Sequence, residues 1–179
     1  LAMAVHRAGN EVIIRAHEQE VVNDINKRNE NKTFLANINI DENILATTDL
    51  SEVLDSDILL LVTPAQYLRP VCEMALANWP KNVPAVICSK GIEQSSCALM
   101  SEVVGEVLPG TPIAVLSGPS FAIEVAKNQP TALTIASEDE TLAKVIMETI
   151  NTKFFRIYRS RDVVGAQIGG AMKNVLAIT

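Results

Sequence analysis

The run Asp57-Ile58-Leu59-Leu60-Leu61-Val62, followed at once by Thr63-Pro64-Ala65-Gln66, decides the fold. A near-continuous apolar stretch without alternation is what a parallel strand covered on both faces requires. Thr, Pro and Gln in that order read as an N-cap and the first and third helical positions, so a helix to about Ala77 should follow directly. The same strand-then-helix figure recurs downstream. Val83–Ser89 predicts a strand and Ser96–Leu108 a helix; Ile113–Leu116 predicts a strand, with a helix around Phe121–Lys127. Thr131–Ala136 predicts a further strand, and Ser137-Glu138-Asp139-Glu140 reads as a capping box opening a helix to about Ile150. Phe154–Tyr158 alternates like an edge strand, and the pattern from Val163 onward is helical. Upstream, a helix ending at Gly9 precedes a short strand over Glu11–Arg15. A polar helix follows over Glu18–Asn31 with apolar positions only at Val21, Val22 and Ile25. Residues 31–43 read as loop, and Asp49 with Glu52 marks a short helix over Leu50–Leu54. Regular alternation of this kind predicts an α/β fold, doubly wound on a mostly parallel sheet.

Composition narrows the class. The 179 residues are 48% hydrophobic, enough to bury a core, and the net charge of −6 disfavours a nucleic-acid partner. The three cysteines, Cys72, Cys88 and Cys97, lack C-x-x-C spacing, so free thiols in a reducing compartment are expected. His6 and His17 are not spaced as metal ligands, and no metal is expected. No apolar run approaches the ~20 residues of a membrane span, and no secretory pattern is present, so the expected location is the cytoplasm. The chain opens inside a helix and stops inside another, which reads as a fragment.

Lys90 follows Pro64 by 26 residues, and Gly118 follows Lys90 by 28, about one βα unit each time. All three therefore fall just past the carboxyl ends of successive strands, where open α/β sheets bind ligands. Lys90 is either a solvent-facing lysine at a strand end or an ammonium that holds an anionic or carbonyl oxygen; Gly91 beside it permits a tight turn. Ser120 is expected to cap the helix after Gly118, a role compatible with binding polar oxygens there. Lys173 stands in Gly169-Gly170-Ala171-Met172-Lys173-Asn174, and two glycines weaken an apolar helix by roughly 1 kcal/mol each unless backbone must come close to something. Either Lys173 snorkels from a buried helix, or it faces Lys90 across a cleft, where burial and like charge would lower its pKa and suit it to proton transfer. His17, after the strand Glu11–Arg15, is a surface residue or, with Arg15 and Glu18, a contact to the ribose end of a dinucleotide; the mixed charges lean toward NADP without deciding it.

These stretches together resemble the bacterial NAD(P)-dependent glycerol-3-phosphate dehydrogenase family over nearly the whole chain. The likeness is carried by Arg7-Ala8-Gly9-Asn10, Ala46-Thr47-Thr48-Asp49-Leu50, Ser89-Lys90-Gly91-Ile92-Glu93, Ser117-Gly118-Pro119-Ser120-Phe121-Ala122, Pro130-Thr131-Ala132, Phe155-Arg156-Ile157-Tyr158 and Gly169–Val175. The resemblance implies a Rossmann-like domain over residues 1–160, with residues 161–179 opening an all-α substrate domain. It implies NAD(P)H as cofactor and interconversion of dihydroxyacetone phosphate and sn-glycerol 3-phosphate for phospholipid synthesis. By it, Lys173 is the proton acceptor; Lys90, Gly118, Ser120, Lys173 and Asn174 bind substrate; and His17, Phe34, Lys90 and Ala122 bind cofactor. Phe34 stands where the family often has tyrosine. A homodimer is left open.

Two features of the family lie outside this sequence: a Gly-x-Gly-x-x-Gly turn ahead of the first helix, and an aspartate and Arg-Asn pair that hold the substrate phosphate. On that comparison the chain alone is expected to be inactive. Two other readings stay open, a dehydrogenase of the 6-phosphogluconate or 3-hydroxyacid type and a non-catalytic nucleotide sensor.

Overall fold

The computed structural model describes residues 1–176, and side chains as far as Met172. In chain order the elements are α1 (Ala2–Arg7), β1 (Ile13–Arg15), α2 (Gln19–Arg28), β2 (Leu45–Thr47), α3 (Leu50–Leu54) and β3 (Leu59–Leu61). Then come α4 (Leu68–Ala75), β4 (Ala85–Ile87), α5 (Met100–Val107), β5 (Ile113–Ser117), α6 (Ala122–Ala126), β6 (Thr131–Ala136), α7 (Glu140–Ile150), β7 (Phe155–Ser160) and α8 (Val163–Leu176). Short 3-10 turns flank α4 at Ala65–Tyr67 and Leu76–Asn78.

The chain divides into two compact units. One comprises Leu1–Val53, Ser120–Ala132 and Glu148–Ile157. In it β1 and β2 pair in parallel, with Ile13 opposite Leu45 and Arg15 opposite Thr47. Val21, Val22 and Ile25 on α2 close over Ile40, Ile44 and Ala46, all buried. The spacing i, i+1, i+4 is the apolar stripe of a helix that covers a sheet on one side only. Asn29 ends that helix in the left-handed conformation at φ 55°, the usual stop where glycine is absent.

The other unit comprises Leu54–Pro119, Leu133–Met147 and Tyr158–Thr179. The five-stranded sheet has the order β3-β4-β5-β6-β7. β3, β4 and β5 run parallel, and β6 is antiparallel to β5. Ala85 and Ile87 of β4 face Leu68, Cys72, Met100, Val103 and Val104 of α4 and α5. Val86, between them on the opposite face, is equally inaccessible. Burial on both faces is the reason these strands read as unbroken apolar runs.

The expected strands and helices are present, with local departures: the helix expected from Ser96 begins at Met100, and three others concern a strand and two caps. Strand β2, Leu45-Ala46-Thr47, was not expected; three residues are too few for a period to show. Thr63 does not cap the following turn. Pro64 is itself extended (φ −56°, ψ 143°), so the chain turns only at Ala65, and the Thr63 hydroxyl is buried without a hydrogen-bond partner. At α7 the cap is Asp139, whose Oδ1 accepts from the N–H of Thr141 at 2.8 Å and of Leu142 at 3.2 Å. The hydroxyl of Ser137 instead donates to the Ile113 carbonyl at 2.8 Å, tying the end of β6 to β5.

Candidate active site

At the carboxyl ends of β3, β4 and β5 the backbone is built to place Lys90. The Ser89 hydroxyl donates to the carbonyl of Thr63 at 2.6 Å, so the end of β4 is anchored to the end of β3. Gly91 has φ +144°, and a Cβ there would stand 2.8 Å from the Cβ of Ala65. Only glycine meets both conditions. Between these two fixed points Lys90 is exposed, and its Nζ donates to the Gly118 carbonyl at 3.0 Å. Gly118, the residue after β5, has φ +152°. The expected juxtaposition of Lys90 with Gly118 is therefore present, as a direct hydrogen bond.

Helix α8 reaches the same place through Gly170. A Cβ on this buried glycine would meet Ser117 Oγ at 2.7 Å and Lys90 Cγ at 3.7 Å. On the adjacent Gly169 a Cβ would meet nothing within 4 Å. Gly169 faces a cavity of about 520 Å³ whose walls include Ser117, Gly118, Thr134, Ser160 and Asp162. The two glycines thus have different causes, one a close packing contact and the other an open wall. Lys173 and Asn174 lie in α8; their side chains lie outside the described residues.

The remaining expected residues belong to the first unit. His17 is exposed in the turn between β1 and α2. Arg15, the last residue of β1, has a buried Nε with no hydrogen-bond partner. Phe34 is 65% exposed in a turn closed by the Asn31–Leu35 bridge. Ala122 is the exposed first residue of α6. The cap position of that helix is held by Phe121, one residue later than expected for Ser120. Arg7 donates to the Val125 and Ala126 carbonyls, at 2.9 and 2.6 Å, completing the end of α6. Asn10 bridges the carbonyls of Val5 and Thr149. These two are structural ties.

A sequence profile described as NAD-dependent glycerol-3-phosphate dehydrogenase N-terminus matches residues 1–143. The chain belongs to that family. A glycerol-3-phosphate dehydrogenase [NAD(P)+] of Paramagnetospirillum magneticum is 52% identical over 178 residues, which are 99% of this chain and 65% of that protein. One of Rhodospirillum rubrum is 51% identical over 179 residues, covering 51% of its own length. The chain thus spans about half to two thirds of the curated relatives it matches. The crystal structure of glycerol-3-phosphate dehydrogenase from Coxiella burnetii superposes with a TM-score of 0.93 at 32% identity, over 99% of this chain and 55% of that one.

Within this glycerol-3-phosphate dehydrogenase fold, an ionic cluster around one buried carboxylate was not anticipated from the sequence. The Arg69 guanidinium on α4 donates from Nε and Nη2 to both oxygens of Glu93, each at 2.9 Å, and from Nη2 to Glu106 at 2.8 Å. Glu93 is only 6% exposed. The Arg69 hydrogen bonds, with a smaller contribution from Ser96, hold its carboxyl below the usual carboxylate range. The signal was available: Glu93 stands three residues after Lys90, and a carboxylate in a ligand-edge loop needs a cation to be buried.

The thiols divide by environment. Cys72 is fully buried on α4, and burial pushes its thiol up to about 11; Cys88 is raised likewise, to about 12. Both therefore stay protonated, and unreactive, until the solution is strongly alkaline. Cys97 is exposed. Alkylation of the native protein near pH 8 should label Cys97 rapidly and the other two only after denaturant is added. Peptide mass mapping reads this directly, and fast native labelling of Cys72 would contradict it.

Proposed function

We propose that this chain supplies the nicotinamide-binding part and the proton-transfer lysine of an sn-glycerol-3-phosphate dehydrogenase. Residues 1–160 bind the cofactor, and residues 161–179 open the substrate domain. The reaction interconverts dihydroxyacetone phosphate and sn-glycerol 3-phosphate, in the cytoplasm, and feeds phospholipid synthesis. The observation that carries this reading is the seat of α8 at Gly170, against Ser117 and the stem of Lys90. Position 173 follows one helical turn later, at the i, i+3 spacing that keeps two positions on one face.

The residues present suit a dinucleotide. At the end of β1 the buried Arg15 Nε has no hydrogen-bond partner and His17 is exposed; at the end of β4 Lys90 is exposed beside Gly91, which has positive φ. His17, Phe34, Lys90 and Ala122 would hold it, and the chemistry it supplies when bound is hydride exchange with the secondary carbon. The protein's share is proton movement and positioning. Lys173 takes the proton from the substrate hydroxyl in the oxidative direction and returns it to the oxygen in the reductive one. Lys90 stabilises that oxygen as charge develops on it. Gly118, Ser120 and Asn174 orient the substrate beside it.

The full-length protein should oxidise sn-glycerol 3-phosphate with NAD+ or NADP+ and leave 6-phosphogluconate and 3-hydroxy acids untouched, as read by absorbance of the reduced nicotinamide. Turnover of either alternative at a comparable kcat/KM would overturn the substrate assignment, and no turnover of any would favour a nucleotide sensor.

A further inference from the structure

We infer that Glu93, Arg69 and Gln66 form a clamp that sets the position of the Lys90 ammonium, and that they are positioning residues for the reaction. The inference rests on the role of Lys90 proposed above. The loop after β4 is closed on itself: Cys97 N–H donates to the Glu93 carbonyl at 2.9 Å, and the Ser96 hydroxyl donates to the Glu93 carboxylate at 2.5 Å. Ile92 pairs with Leu99 by a single bridge, Glu93 N–H donates to the Ala98 carbonyl at 3.0 Å, and Cys97 sits at φ 59°. A tight loop of this kind tips as one body about Gly91 unless something outside holds it.

The clamp supplies two holds from α4 and the turn before it. The bidentate Arg69–Glu93 pair is the geometry that fixes both distance and orientation. Gln66 makes a second, independent hold: its Nε2 donates to the Ile92 carbonyl at 2.8 Å, and its Oε1 accepts from Gln94 N–H at 3.0 Å. Ser89 anchors the other side of Lys90 to β3. Lys90 is thus bracketed by fixed points on either side while its own side chain remains exposed. The bonds described run from Arg69 to Glu93 and from Gln66 to the loop backbone, so the effect proposed for them on catalysis passes through the loop.

The test is a double-mutant cycle in the full-length enzyme, with kcat/KM for sn-glycerol 3-phosphate as readout. Glu93→Gln should lower kcat/KM about tenfold or more where Lys90 is present, because a misplacement near 1 Å costs up to ~100-fold. In a Lys90→Ala background the same substitution should cost less than about twofold. A merely structural role would cost the same in both backgrounds, and that result overturns the clamp. If Glu93→Gln does not fold, the exposed Gln66→Leu serves in the same cycle, with a loss of about fivefold expected only when Lys90 is present. Equal loss, or none, overturns the inference. If instead Lys90→Ala alone leaves kcat/KM unchanged, the role of Lys90 falls, and the clamp with it; the two failures are told apart by that single variant.

Discussion

Replacing Lys173 by alanine in the full-length enzyme is expected to lower kcat about a thousandfold while the affinity for NAD(P)H stays nearly unchanged. The size follows from what general-base catalysis supplies, roughly 100- to 10,000-fold. The separation of kcat from cofactor affinity follows from where the cofactor contacts lie. Of the cofactor contacts proposed above, His17, Phe34 and Ala122 lie outside α8, between β1 and α2, in the 31–35 turn and at the start of α6. Small primary amines added to the variant should restore part of the rate, because they can take the proton that Lys173 no longer accepts. Fluorescence titration of reduced nicotinamide and steady-state kinetics make the two measurements. A kcat near that of the parent would remove Lys173 from the mechanism.

Substituting Gly170 should be nearly as damaging, for a reason of space. An alanine Cβ would lie 2.7 Å from Ser117 Oγ, so α8 must lift or the serine must turn away within a site where it is 7% exposed. Valine adds two methyl groups to a Cβ that already has Ser117 Oγ at 2.7 Å, Lys90 Cγ at 3.7 Å and Ser117 Cβ at 3.9 Å, so a serine rotation alone makes too little room. Gly170→Val is therefore expected to reduce kcat/KM by ~100-fold or more, the cost of moving a reacting group by about 1 Å. Gly170→Ala should cost about tenfold without lowering Tm, because alanine raises helix propensity by about 1 kcal/mol over glycine. Ser117→Ala removes the hydroxyl at the contact and should return much of the activity to Gly170→Ala. Gly169→Ala is the control: a Cβ there meets nothing within 4 Å, so it should raise Tm. Full activity in Gly170→Val would show that α8 need not seat against β5.

How far the sequence could be read depended on the range of the interaction that places each residue. Thr131–Ala136 and Leu50–Leu54 begin and end where the pattern puts them, because apolar periodicity and turn residues act over a few positions. Thr63 does not cap because Pro64 takes an extended conformation, a choice its fixed φ leaves open through ψ. At Ser137 the hydroxyl had a better acceptor across the sheet, the Ile113 carbonyl 24 residues away. Local rules rank local partners and carry no information about distant ones. The Lys90–Gly118 neighbourhood was legible because βα units have nearly constant length, so sequence spacing stands in for position along the sheet edge.

Taken alone, the order of residues determined that strands alternate with helices, that Lys90 and Gly118 stand at strand ends, and that the Gly-Gly-Ala-Met-Lys-Asn segment is helical. Those are consequences of steric preference and solvent exclusion along a short length of chain. Only the tertiary structure decided why Gly170 is glycine and Gly169 is beside open space, and that Arg69 and Gln66 hold the loop of Glu93. Close packing and fork-shaped hydrogen bonds depend on distances held to within a few tenths of an ångström between residues far apart in sequence. Such distances exist once the sheet has brought those residues together.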